Sequence, residues 1–349
     1  MHTNQLVYLV YGNKADIITE ARFSMVSAIH RTVTNNFSIV VITDTPAAFA
    51  DLPVDAVAIT AATISEWSGD IGYHHRSKPL ALLSVLDRCE KSILIDSDTV
   101  LLSCPSRLFE LIDKQTVLVD RVLQNYGGEH DAYQQRCGEY LLQHYKTTPQ
   151  CHYVNSGLIG LTQGNRQVLE TAISLIDEIY VMSGKLFHVE QAALAFALHY
   201  QQLQPAAHKR MVQHYYAKKH IFRAQAQTFL DNHSDLLSEQ TQKDLLETPL
   251  RLPRQSWLYS LRIKLLSLTI PGSKPLKRYY LETMRAGYTY PEPDQHLINE
   301  MFLGAARNLK QRDPAQFQAL KEQGLDSIFT EFYMPKTIQS AAEQALQAQ

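Results

Sequence analysis

Cysteine is scarce in this sequence: Cys89, Cys104, Cys137 and Cys151 are the only four in 349 residues, and no two form a CxxC pair. That argues against a disulfide framework, and a chain of this length needs no such staples. Reduced thiols in a cytoplasmic setting are the expectation. Net charge is scarce too. The 33 Lys and Arg nearly balance the 35 Asp and Glu, leaving −2, so no global field attracts nucleic acid and none is expected as a partner. No run of about 18 apolar residues occurs, which argues against a membrane-spanning helix. The opening MHTNQLVYLVYGNK has no basic segment before its short apolar run, so the run reads as a buried strand and not as a signal peptide. Repeats and low-complexity tracts are also missing.

What is present is an ordinary folded composition, 45% apolar and 19% charged. Residues 6–11 (LVYLVY) end at Gly12-Asn13. A helical spacing follows through Ile17, Ala21, Met25 and Ile29, and then a second apolar run at 37–43 (FSIVVIT). Strand, helix, strand in this order predicts a βαβ unit with parallel strands. The alternation continues with strands at 54–59, 92–96, 116–119 and 153–161. Helices are predicted at 77–88, 106–113, 131–145, 165–182 and 188–199. The predicted fold class is α/β, a mostly parallel sheet flanked by helices. Beyond about 230 strand signals fade and helices are expected at 233–247, 256–268, 293–310 and 313–324. The expected division is therefore 1–230 for a catalytic domain and 231–349 for a helical C-terminal region.

Asp96 and Asp98 follow the apolar strand SILI, at the end of a strand where open α/β sheets bind ligands. Two bare carboxylates about 5 Å apart repel by roughly 3 kcal/mol at an effective dielectric of 20. A divalent cation removes that repulsion, and oxygen ligands suit Mg²⁺ or Mn²⁺. The same string also fits an Asp capping a loop after a buried strand. A third fit is the nucleophile motif of haloacid-dehalogenase-type phosphatases, with Asp96 attacking phosphorus. Such a nucleophile normally sits on the first strand, whereas here a βαβ lead-in precedes it.

The segment KSILIDSDTVLLSCPSRLFEL resembles the DxD region of GT-A glycosyltransferases, especially glycosyltransferase family 8. Four more segments resemble that family in the same order: RSKPLALLSVL, YVNSGLIGLTQGN, HVEQAALAFAL and QHYYAKKH. The resemblance covers roughly residues 5–225. It implies a GT-A-like, Rossmann-type fold and transfer of a sugar, with retention, from a nucleotide-diphosphate donor such as a UDP-sugar. The acceptor it implies is a glycan or lipid-linked saccharide.

By that resemblance Asp98 is the principal metal ligand, Asp96 and Ser97 lie between metal and nucleotide, and His214 is the third protein ligand. Lys218 would reach the diphosphate, and Arg76 and Lys78 the diphosphate or the donor sugar. Tyr8, Tyr11 and Gly12 would meet the base, and Asn155 and Ser156 the donor sugar. Glu190 and Gln191 match the family's Asp-Gln pair beside the anomeric carbon, although Glu190 is one methylene longer. Asp120 could contact the donor. Each has a plain alternative: a packing histidine for His214, one of fourteen, a solvated helix start for Arg76 and Lys78, a core aromatic for Tyr8, a turn residue for Asp120. Gly157 fits either a bulge or a close backbone approach. A non-catalytic nucleotide-sugar-binding protein on the same fold is a further alternative, against which the intact DxD and His214 argue.

Residues 250–285 carry eight Arg or Lys against one acid, Glu282. Trp257, Leu258, Leu261, Leu265 and Leu268 fall on one helical face. That pattern serves either packing on the rest of the protein or peripheral contact with a membrane surface, through 250–285.

Overall fold

The computed structural model describes residues 3–33, 36–128, 130–215, 219–248, 256–269, 272–286, 295–324 and 336–349. The chain divides into two compact units, Met1–Tyr215 and Tyr216–Gln349.

The first unit is built on a seven-stranded sheet. In chain order its strands are β1 (Asn4–Val10), β2 (Phe37–Thr43), β3 (Asp55–Ala58), β4 (Lys91–Ile95), β6 (Thr116–Asn125), β7 (His152–Thr162) and β8 (Gln204–Ala207). Across the sheet they run β3-β2-β1-β4-β7-β6-β8. Strand β7 is antiparallel to both of its neighbours, and every other pair is parallel. Strands covered on both faces must be apolar along their length, and LVYLV, FSIVVIT and SILI are. A separate two-stranded antiparallel ribbon joins β5 (Thr99–Leu101) to β9 (Val212–His214).

The helices of this unit are α1 (Ala15–His30), α2 (Ala61–Ser68), α3 (Ser77–Val85), α4 (Ser106–Phe109), α5 (Ala132–Tyr145), α6 (Arg166–Met182) and α7 (Val189–Tyr200). In α6, Val168, Leu169, Ala172, Leu175, Ile176 and Ile179 recur at helical spacing and are all buried. The run VEQAALAFAL of α7 is buried on nearly every side. Asp131 starts α5, its carboxylate accepting from the backbone N–H of Tyr133 and Gln134. The expected helix at 106–113 stops at Phe109. The short β8 (QPAA) and β9 (VQH) had no strand signature.

The second unit is helical: α8 (Lys219–Asn232), α9 (Glu239–Glu247), α10 (Trp257–Thr269), α11 (Lys274–Ala286), α12 (Gln295–Arg312), α13 (Pro314–Gln323) and α14 (Lys336–Gln347). Helix α8 packs on α12, which assigns it to this unit and sets the division before residue 230. The core holds Ile263, Tyr279, Phe302, Ala306, Leu309 and Phe317. Among the described residues, no helix is long and apolar enough to cross a membrane.

Candidate metal centre and its surroundings

Asp96 and Asp98 leave the C-terminal end of β4, and β5 begins at Thr99. The ribbon register sets Thr99 opposite His214. The backbone N–H of Tyr215 donates to the Asp98 carbonyl at 3.0 Å. Residues more than a hundred positions apart are thus fixed side by side. One ligand atom each from Asp96, Asp98 and His214 lies within 4.8 Å of the others, the only such group among the described residues. His214 Nε2 is 3.4 Å from Asp98 Oδ1 and 4.0 Å from Asp96 Oδ2. Ligands about 2.1 Å from an octahedral cation stand about 3 to 4 Å from one another, so two carboxylates and an imidazole fit a small divalent cation here.

The buried Asp120 carboxylate holds the imidazole. His214 Nδ1 is 3.1 Å from Asp120 Oδ2, and His208 Nε2 is 2.9 Å from Asp120 Oδ1. Asp120 is fully buried on β6. Burial alone would raise its carboxyl, but hydrogen bonds from His208 and His214 hold it well below the usual carboxylate range. A carboxylate on one imidazole nitrogen fixes the ring and directs the other nitrogen outward. Asp120 therefore positions His214. Burial disfavours charge on His214, yet its bonds to Asp120 and Asp98 push it up to about 9.

Gly157 completes this geometry. A Cβ at Gly157 would stand 2.4 Å from two atoms of the His214 ring. Val119 pairs with Ile159 and Arg121 with Asn155, so four residues of β7 span two of β6. The extra residues of β7 are Ser156–Leu158, the register shift of a β-bulge. Both sequence readings of Gly157, bulge and close approach, hold. Its carbonyl accepts from Asp96 N–H at 2.9 Å, and its N–H donates to Asn155 Oδ1 at 2.9 Å.

Lys78, in the first turn of α3, donates to Asp96 Oδ2 at 2.7 Å. Burial would favour its neutral form, but Asp96, Glu190 and Asp98 raise its pKa and keep it charged. Glu190 is buried in the first turn of α7 and accepts from Ser156 Oγ at 3.2 Å and from the Tyr73 hydroxyl. Burial opposes its charge, while Lys78, His75 and Tyr73 lower its pKa. Tyr73 and His75 have no distinctive spacing to reveal them in sequence. The His75 Nε2 atom is buried without a hydrogen-bond partner, and burial pushes this imidazole down to about 4.

The other expected site residues lie as follows. Ser97 is half-buried between the two aspartates. Tyr11 and Gly12 follow β1 at the same sheet edge, and Gly12 N–H donates to Asp44 Oδ2 at 3.0 Å. Gln191 stands beside His188, with Nε2 3.3 Å from its Nδ1. It lines a cavity of about 620 Å³ with Tyr133, Tyr153, Phe187 and His188. Tyr8 points into the core. Thr99 Oγ1 donates to the Asp96 carbonyl at 2.7 Å, so its own acceptor position takes the Ser24 hydroxyl at 2.9 Å, and Ser24 takes Tyr8 at 3.0 Å. Tyr8 braces the aspartate loop from beneath. Arg76 is turned away from the cluster and clamps Asp177 of α6 through two bonds of 2.6 and 2.8 Å. Lys218 lies outside the described residues.

Compared with protein-family models the chain matches none, and compared with curated proteins it matches none. Among solved structures it is similar to mouse xyloside xylosyltransferase 1 in its apo form, at 12% identity and a TM-score of 0.41. That likeness covers 58% of this chain and 84% of the mouse chain.

Proposed function

We propose that this chain is a metal-dependent glycosyltransferase of GT-A-like fold. The donor is a nucleotide-diphosphate sugar, read as a UDP-sugar, and the acceptor a glycan or lipid-linked saccharide, in a cytoplasmic setting. The observation that carries the reading is the Asp96–Asp98–His214 group at the carboxyl edge of the sheet, oriented by Asp120 and flanked by the charged Lys78.

When bound, Mn²⁺ or Mg²⁺ would supply electrophilic stabilisation of the diphosphate as the sugar departs. Asp96, Asp98 and His214 would hold it. Lys78 offers a fixed cation that needs no rearrangement as charge builds on the leaving group. Tyr11 and Gly12 border the nucleotide, and Asn155 and Ser156 face the donor sugar. Glu190, kept ionised by its neighbours, and Gln191 flank the anomeric centre. The Glu190 carboxylate already serves Tyr73 and Ser156, which suits a fixed electrostatic role better than a mobile base and fits retention. The cavity beside Gln191 suits a sugar acceptor, since Tyr133, Tyr153 and Phe187 offer ring faces. Its lining residue Val154 is three positions from Gly157 on β7, about 10 Å.

The test is a panel of nucleotide sugars with Mn²⁺, monitored for nucleoside diphosphate. Release that needs Mn²⁺ and disappears in Asp98→Ala is expected. Phosphomonoester hydrolysis without nucleotide-sugar turnover would replace this reading with the phosphatase. Nucleotide-sugar binding with no turnover would replace it with a binding protein.

A further inference from the structure

Helix α10 is apolar on two faces, and the helical core uses only one. Ile263 is 3% exposed in that core, and Tyr259 packs against it while donating to the Met284 carbonyl at 3.0 Å. The other face is open to solvent: Trp257 is 72% exposed, Leu258 61%, Leu261 45%, Leu265 56% and Leu268 75%. At about 100° per residue these five fall within a sector of about 100°, with Tyr259 and Ile263 on the far side. Isolated exposed leucines are ordinary, but five in one stripe with a tryptophan are not.

Charge decides what covers the stripe. By the same helical projection Arg262 borders the sector on one side and Lys264 on the other, and both are exposed. The next helix, α11, adds exposed Lys274, Arg278 and Arg285, with Glu282 its only acid. A protein partner can meet an apolar stripe with any pattern of rim charge. Cations along both margins of an apolar sector that carries a tryptophan match an anionic lipid surface. There the apolar side chains enter the acyl boundary while the Arg and Lys heads stay at headgroup level.

We propose that α10 lies in the plane of an anionic membrane with the Trp257–Leu268 stripe buried in its surface. The inference is independent of any catalytic activity. It is tested on the full chain by co-sedimentation with vesicles of phosphatidylcholine alone and of phosphatidylcholine mixed with phosphatidylglycerol. At least tenfold tighter binding to the anionic vesicles is expected, weakening as salt rises. The double variant L261E/L265E should lose at least tenfold in that binding while its melting curve and Mn²⁺ affinity stay as in the parent. A readout without stripe substitutions is the fluorescence of Trp257 in a Trp67→Phe chain, which should shift to the blue on anionic vesicles. Absence of vesicle binding, equal binding by L261E/L265E, or an unshifted Trp257 would overturn the proposal. So would a dimer in solution that L261E/L265E converts to monomer without any lipid binding, since the occupant would then be a second copy.

Discussion

The two units break the usual burial pattern in opposite directions. The sheet unit buries charge: Asp98, Asp120 and Glu190 are each less than 5% exposed. The helical unit exposes apolar surface along α10. Burying a carboxylate is costly unless something matches it. Lys78 and His214 do so in part, and Asp96, Asp98 and Glu190 around the one Lys78 ammonium invite a further cation. Exposing a stripe of leucines likewise calls for a cover. One departure marks a site for a small charged ligand, and the other marks a surface for an extended one.

The sharpest way to break this comparison is at Asp98. Asp98→Ala should abolish detectable Mn²⁺ binding and lower nucleotide-sugar turnover by at least about 10³-fold, with the fold kept, as read by circular dichroism. Loss of the fold instead would make the cluster structural.

Next in size is a core substitution in the other unit. Ile263→Ala, on the packed face of α10, should destabilise its unit by about 2–4 kcal/mol in urea unfolding.

A tenfold to hundredfold loss of Mn²⁺ affinity is expected for Asp120→Asn, which leaves all three metal ligands in place but loosens the His214 ring. The pH dependence sharpens this. In the metal-free chain His214 titrates at about 9, so below that pH an incoming cation must displace its proton. Affinity should therefore climb from pH 6 to 9 and then level, and Asp120→Asn should move the plateau to lower pH. For folding of the metal-free chain the sign is opposite. A histidine whose pKa is raised above about 6.5 adds stability fully below that value and loses it as pH passes 9.

The smallest effect belongs to the exposed face. Leu265→Ala should change stability by less than about 0.5 kcal/mol. A loss near that of Ile263→Ala would mean the stripe is already covered.

Much of the sheet was legible because fully buried strands must be apolar runs, and LVYLV, FSIVVIT and SILI are unmistakable. The convergence of Asp98 with His214 depends on β5 and β9, three residues each. Elements that short carry no period to read. The direction of β7 could not be read either, since a buried strand looks alike either way up. Arg76 and Lys78 are indistinguishable in sequence, yet Arg76 precedes α3 and Lys78 lies in its first turn, so one meets Asp177 and the other Asp96. Asp120 gave no hint of its partners, although two histidines six positions apart, His208 and His214, were a signal available for it. Gly157 had a reason that sequence could state only in kind: the ring it admits comes from β9.

Manganese titration of the full chain, followed by electron paramagnetic resonance with and without UDP, tests the central claim most directly. One ion bound per chain, held more tightly with UDP and lost in His214→Ala, is the predicted result. Equal binding by the His214→Ala chain, or no binding in the presence of UDP, would contradict the assignment of Asp96, Asp98 and His214 to a metal-diphosphate site.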